Sequence, residues 1–110
     1  LVHETLRLQG YTVLVARHGI EALLASAKCV GRIHLLLTDV VMPQMSGPEV
    51  AEKIQIARPE IKVLYMSGYP GHPVFDQDGV SHLTGFLQKP FSPPALVQKV
   101  REVLDSVKVA

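Results

Sequence analysis

The chain has 110 residues, which is enough for one domain with its own hydrophobic core. Its 47% apolar and 19% charged residues are typical of a soluble globular protein, and no apolar run approaches the roughly 20 residues that span a bilayer. The formal net charge is only +1 and the basic residues are scattered, while the single cysteine, Cys29, cannot form an internal disulfide. We therefore expect a cytoplasmic domain that binds neither nucleic acid nor membrane.

Helical and strand patterns alternate along the chain. A first helix ends near Gly10, a second carries apolar residues at helical spacing from Ile20 to Ala27, and a capping box of Ser46 and Glu49 begins a third. A last helix follows Ser92, whereas the prolines and glycines of Pro70–Gly79 predict a short or irregular helix there. Strands are predicted at Thr12–Ala16, Leu35–Asp39, Ile61–Ser67 and Gly85–Lys89. This order predicts an α/β fold with a parallel sheet between two helical layers.

Three polar residues each end an apolar strand: Asp39, Ser67 and Lys89. Separately, they are compatible with a turn cap, a turn residue and a solvated strand end. Because the carboxyl ends of parallel strands lie at one edge of the sheet, a carboxylate, a hydroxyl and an ammonium can converge there. Their occurrence at successive strand ends favours a functional site.

The motifs around these residues resemble the receiver domain of two-component response regulators, which has a flavodoxin-like fold. The segment Thr38–Glu49 is similar to the family's phosphoacceptor segment, with Asp followed by Met-Pro and Met-x-Gly. Met66–Tyr69 resembles the strand that carries the switch hydroxyl, and Phe86–Phe91 resembles the Lys-Pro-Phe segment, whose Lys–Pro bond is usually cis. The residues of these motifs are most similar to those of receivers attached to hybrid sensor histidine kinases.

The resemblance implies a role for each residue. Asp39 would accept a phosphoryl group from the phosphohistidine of a histidine kinase or histidine phosphotransfer domain, with Ser67 and Lys89 contacting the phosphoryl oxygens. Asp39 and the backbone carbonyl of Val41 would bind Mg²⁺, and Phe86 would be the aromatic residue that reports the switch. The bulky Val41 would also slow hydrolysis of the phosphorylated form.

The sequence departs from the family at its beginning. The acidic pair that holds Mg²⁺ together with the phosphoacceptor, and the central first strand that precedes it, have no counterpart in these 110 residues. We therefore expect one receiver domain that is incomplete at its N-terminus, weak or absent Mg²⁺ binding, and self-association through the unpaired strand edge.

Other functions remain open. Without the acidic pair, the domain is also compatible with a pseudo-receiver that binds partners and is not phosphorylated. A phosphatase of the haloacid dehalogenase type requires a second Asp at the position of Val41, and a nucleotide-binding enzyme requires a Gly-rich phosphate loop, so both are disfavoured. The domain alone is not expected to be an enzyme; whether a histidine kinase core accompanies it stays open.

Overall fold

The computed structural model describes residues 1–68 and 85–106. The elements follow in the order α1 (Val2–Leu8), α2 (Gly19–Lys28), β1 (Leu35–Asp39), α3 (Gly47–Ala57), β2 (Lys62–Ser67), β3 (Gly85–Gln88) and α4 (Pro93–Asp105). The helix expected within Pro70–Gly79 lies outside the described residues. Within the described ranges, no helix has the length and apolar content needed to cross a membrane.

The three strands form a parallel sheet in the order β1-β2-β3. Leu35 pairs with Lys62 at the start of the β1–β2 ladder, and Leu64 pairs with Gly85 at the start of the β2–β3 ladder. All three strands therefore end at the same edge of the sheet. The predicted α/β class is confirmed.

Alternating side chains of β2 supply the core on both faces of the sheet. Leu64 lies in a first cluster with residues of α1, β3 and α4. Val63 and Tyr65 belong to a second cluster, which packs against α3 on the other face of the sheet. The first cluster consists of Leu6, Leu64, Leu87, Leu96, Val100 and Val103. A third cluster joins α3 to α2 and to the loop after β1, and its buried members are Val50, Ile54 and Ile61. Helices thus cover both faces of the sheet.

Side-chain caps define the beginnings of the two longest helices. Ser46 accepts a hydrogen bond from the Glu49 amide, and Glu49 accepts one from the Ser46 amide at 2.9 Å, which confirms the predicted capping box. Ser92 caps α4 by accepting from the Ala95 amide. These caps satisfy amides that have no partner within the helix.

The C-terminal ends of α2 and α4 are held by cations from other elements. The Arg58 guanidinium donates to the carbonyls of Ser26, Cys29 and Gly31 and to the Ser26 hydroxyl, at 2.8 to 3.0 Å. The Lys62 ammonium donates to the carbonyls at the end of α4, including that of Leu104 at 2.7 Å. Each cation lies where the helix dipole is negative.

Two predictions about the N-terminal half are wrong. Thr12–Ala16 forms no strand, although Tyr11 and Val13 pack against the first cluster. No strand lies beside this segment to pair with its backbone within the described ranges, so β-branched residues alone do not make it a strand. In α2, the predicted apolar face is rotated: Leu23 packs inward beside Ala22, whereas Ile20 and Leu24 are exposed.

Candidate functional site

Asp39 lies at the carboxyl end of β1, where the apolar run from Leu35 delivers it to the sheet edge. The amide of Val40 donates to the carbonyl of Met66 at 3.0 Å, which extends the β1–β2 ladder by one residue. The amide of Gly47 at the start of α3 donates to the Val40 carbonyl at 2.8 Å. This hydrogen bond joins the end of β1 to the start of α3 at the residue that follows Asp39.

The Lys89 ammonium lies 2.6 Å from Oδ1 of Asp39. The two residues come from β1 and from the end of β3, which are separated by β2 and therefore by about 10 Å. Only a long side chain that crosses the end of β2 can make this contact. The structure thus brings together two of the three polar strand-end residues, as the sequence predicted.

The two oxygens of the Asp39 carboxylate differ in environment. Oδ1 is buried and makes no aligned hydrogen bond, so its contact with Lys89 is an ion pair. The Asp39 side chain as a whole is nevertheless 38% exposed, and the Lys89 side chain is 44% exposed. Since Oδ1 contributes nothing to that exposure, the remainder of the carboxylate faces solvent. The site offers one shielded and one accessible side of a carboxylate.

Ser67 is buried at the end of β2, with only 5% of its surface exposed. Its carbonyl accepts a hydrogen bond from the Lys89 amide at 2.8 Å, so the backbones of the two residues are fixed relative to each other. Along the ladder, Asp39 pairs with Met66, the residue before Ser67. Ser67 therefore lies one residue beyond the level of Asp39 at the same sheet edge.

Phe86 is half-buried in β3 and pairs with Tyr65 of β2. Tyr65 in turn pairs with Thr38 of β1, so these residues form one row across the sheet, one position before the row of Asp39. Burial raises the pKa of the Tyr65 hydroxyl. The predicted switch residue thus neighbours the site through this row.

The loop after Asp39 combines an exposed and an anchored part. Val41 is 61% exposed, whereas Met42 and Met45 pack against the third cluster. Gln44 has a φ of 71°, a left-handed conformation that costs a residue with a side chain free energy. The two methionines hold the loop against α3 while Val41 stays at the surface.

The described residues do not form a complete magnesium site. Asp39 is the single carboxylate at this sheet edge among the residues described, and one of its oxygens already contacts an ammonium. No group of three or more His, Cys, Asp or Glu residues within 1–68 and 85–106 is arranged to bind a metal. Because Mg²⁺ prefers several anionic oxygens, this donor set fits the ion poorly.

Two residues that the sequence indicates only as parts of motifs contact the backbone of Asp39. The Thr38 hydroxyl lies 3.0 Å from the Asp39 carbonyl oxygen. A Cβ atom added to Gly47 would lie 2.1 Å from the same oxygen, so no side chain fits there. The one signal in the sequence was a polar residue within an otherwise apolar strand.

The chain belongs to the response regulator receiver domain family, whose sequence profile matches residues 1–101. It is a receiver domain of two-component signal transduction, as the motifs at Asp39, Ser67 and Lys89 predicted. The cis bond between Lys89 and Pro90, which the resemblance implied, is present as well.

Individual relatives include a sensor kinase and a chemotaxis protein. The sensor kinase CckA of Brucella abortus is 36% identical over 100 residues, which cover 91% of this chain and 11% of that protein. The crystal structure of the receiver domain of the hybrid histidine kinase CckA superposes with a TM-score of 0.77 and 33% identity, covering 94% of this chain and 86% of that one. The chemotaxis protein CheY4 of Vibrio cholerae gives a TM-score of 0.79 and 31% identity, covering 93% and 85%. The chain thus spans about a tenth of the kinase and most of each solved domain.

Proposed function

We propose that Asp39 accepts a phosphoryl group from a phosphohistidine of a histidine kinase or histidine phosphotransfer domain. The observation that supports this most directly is the 2.6 Å contact between Lys89 and Oδ1 of Asp39. It places a cation beside a carboxylate that is still open to a donor on its other side. Phosphoryl transfer depends mainly on such positioning and on neutralisation of charge.

The transfer follows from the chemistry of the two groups. The accessible oxygen of Asp39 attacks phosphorus, an oxygen–phosphorus bond forms, and the nitrogen–phosphorus bond breaks. The electron pair of the broken bond returns to the histidine ring, which leaves as neutral imidazole when its other nitrogen carries a proton. Lys89 offsets the negative charge that accumulates as two anionic groups approach.

Ser67 and Phe86 are proposed to report the phosphorylated state. The Ser67 hydroxyl would donate to a phosphoryl oxygen, and a shift of this buried residue at the end of β2 would reach Phe86 through the neighbouring strand. The backbone link between Ser67 and Lys89 supports a coupled movement. Asp39 and the Val41 carbonyl would provide only a weak Mg²⁺ site. We assign the phosphoacceptor function to the cytoplasm.

Phosphorylation of the chain tests the proposal. Incubation with a phosphorylated histidine phosphotransfer domain, in buffer containing Mg²⁺, should label the wild-type chain with an acid-stable, hydroxylamine-sensitive acyl phosphate. Asp39→Asn removes the attacking oxygen at nearly constant volume and should abolish the label. Equal labelling of the wild type and Asp39→Asn would contradict the proposal.

A second candidate is a pseudo-receiver that binds a kinase or phosphotransfer domain without phosphoryl transfer. The poor magnesium donor set of residues 1–68 and 85–106 favours it. It predicts that the wild-type chain takes no label but binds the unphosphorylated phosphotransfer domain in titration calorimetry. The Asp39→Asn variant should bind that domain with the same affinity as the wild type. Labelling and binding measurements on the wild type and Asp39→Asn therefore distinguish the two functions.

A further inference from the structure

The peptide group between Asp39 and Val40 is held on both of its sides. Its N–H belongs to Val40 and donates to the Met66 carbonyl at 3.0 Å, so it points toward β2. In a trans peptide the C=O points the opposite way, and the carbonyl of Asp39 is therefore directed away from β2. No β-strand among the described residues pairs with that side of β1.

On that side the Thr38 hydroxyl replaces a strand partner. Its oxygen lies 3.0 Å from the Asp39 carbonyl oxygen and 3.7 Å from Sδ of Met42. A hydroxyl has one hydrogen to donate, and a carbonyl oxygen is a far better acceptor than a thioether. Thr38 is buried, with 7% of its surface exposed, so water competes little for this hydrogen bond.

Gly47 completes the support from the start of α3. Its hypothetical Cβ would lie 2.1 Å from the Asp39 carbonyl oxygen and 3.2 Å from Cγ2 of Thr38. The backbone of α3 thus packs directly against this carbonyl and against the side chain that binds it. Any side chain at this position must push the carbonyl or the helix aside.

We propose that Thr38 is a positioning residue for Asp39 and that Gly47 provides the close packing this requires. The Thr38 hydroxyl fixes the peptide plane after Asp39, and that plane sets the direction in which the Asp39 carboxylate leaves the backbone. The carboxylate then meets the Lys89 ammonium at 2.6 Å with its other side open to a donor. This inference rests on the proposed function where it concerns phosphorylation, but the ion pair gives it an independent readout.

Two substitutions of Thr38 separate the hydroxyl from the packing. Thr38→Val keeps the shape and removes the hydroxyl, whereas Thr38→Ser keeps the hydroxyl and removes the methyl group that faces Gly47. Thr38→Val leaves the buried Asp39 carbonyl without its donor, so it should unfold at a lower urea concentration than the wild type although valine fills the same volume. Thr38→Ser should also be less stable than the wild type, because it loses a buried methyl group and part of the strand preference.

Phosphorylation should distinguish the two variants. With acetyl phosphate as the donor, Thr38→Val should be labelled about tenfold more slowly than the wild type, because small misplacements of a reacting group cost this much or more. Thr38→Ser should be labelled within about twofold of the wild-type rate. A purely structural role of Thr38 would instead leave both variants at the wild-type rate under conditions where they are fully folded.

The Lys89 ammonium gives a readout that needs no phosphorylation. In ¹⁵N NMR spectra, its resonance, assigned through Lys89→Arg, should be protected from fast proton exchange by the contact with Asp39. In Thr38→Val, the Lys89 ammonium protons should exchange several-fold faster than in the wild type, and Gly47→Ala should show the same effect. In Thr38→Ser, they should exchange at the wild-type rate.

The two readouts keep the proposals apart. If the wild type takes no label, the phosphoacceptor function fails, and the ammonium signal alone decides whether Thr38 positions Asp39. If Thr38→Val keeps the wild-type ammonium exchange, the positioning role is overturned, whatever its labelling rate.

Discussion

The ion pair of Asp39 and Lys89 has the features of a functional contact rather than a stabilising one. Both side chains are more than a third exposed, and pairs of this kind contribute about 0 to 1 kcal/mol to stability because water screens them. The close approach of the two charged groups therefore has little value for folding. It has value if a second anion, the phosphoryl group, must be received at the same place.

Replacing Lys89 should separate stability from activity. Lys89→Gln removes the charge but keeps much of the side-chain length, so we expect the free energy of unfolding to change by less than about 1 kcal/mol. The rate of phosphorylation should fall about a hundredfold, in the range found when one charge-stabilising donor is removed from a catalytic site. Urea unfolding and labelling of the same preparation measure both quantities.

Lys99→Gln is the matched control for this experiment. Lys99 forms an exposed ion pair with Glu102 on α4 and is not part of the sheet edge. It should leave both stability and labelling unchanged. A loss of labelling in both variants would show that overall charge matters, rather than the contact with Asp39.

At the level of single residues, the sequence predicted the site through chemistry that is local to strand ends. Asp39 and Lys89 could be placed at one edge because parallel strands end together. The role of Thr38 could not be predicted, because its hydrogen bond depends on where the carbonyl of the next residue points. Gly47 was visible only as part of a capping sequence, since close packing between two backbones leaves no pattern in side chains.

Arg58 determines how α2 ends and how it is held against α3. Its guanidinium makes four hydrogen bonds to the last turn of α2 and to the segment that follows. We expect Arg58→Ala to lower the free energy of unfolding by about 2 to 3 kcal/mol, because several carbonyls lose a charged donor at once. Chemical denaturation of the two proteins measures this difference.

Arg58→Lys is the informative companion variant. A lysine keeps the charge but cannot reach several carbonyls with a planar fork, so it should restore less than half of the loss. Full recovery with lysine would show that the charge at the C-terminus of α2, rather than the shape of the guanidinium, provides the stability.

The capping box at the start of α3 makes stability depend on pH. The hydrogen bond from the Ser46 amide holds the pKa of the Glu49 carboxyl below its ordinary value. A carboxyl whose pKa is lower in the folded state stabilises the fold above its unfolded pKa, and this contribution disappears as the pH falls through the folded pKa. We therefore expect part of the stability to be lost below about pH 4.

Glu49→Gln isolates this contribution from those of other carboxyl groups. Glutamine can accept the same hydrogen bond but does not titrate. Its unfolding midpoint, measured in urea from pH 6 to pH 3, should fall less steeply than that of the wild type. Parallel curves for the two proteins would assign the acid sensitivity elsewhere.

Among the elements, predictions succeeded where the signal was contained within the element itself. Caps such as Ser46 and the apolar run of β1 are local and were identified correctly. The strand expected at Thr12–Ala16 failed because a strand needs a partner, which no local pattern can supply. The prediction of the inward face of α2 failed because Ile20, Leu23 and Leu24 lie on overlapping faces of the helix. Packing against α3 buries Leu23 and leaves the other two exposed.

Among the described residues, β1 forms one of the two edges of the sheet, and β3 forms the other. The Lys62 amide donates to the His34 carbonyl, so the next amide, that of Leu35, points away from β2 and toward the β1 edge. Exposed apolar side chains occur in the helix and the segment that precede β1 in the chain, including Leu14 at 54% and Leu24 at 55% exposure. An open strand edge together with exposed apolar side chains favours association between chains.

We therefore predict that this chain self-associates through the β1 side of the molecule. Sedimentation velocity should show a species heavier than the monomer whose fraction increases with concentration. Leu24→Lys should shift this equilibrium toward the monomer without lowering stability, because the side chain is already exposed and the added charge must otherwise be buried against the second copy. Ile56→Lys is the matched control, since Ile56 is 79% exposed on α3. A monomer at every concentration with one cooperative unfolding transition, or an equal effect of both lysines, would contradict association at the β1 edge.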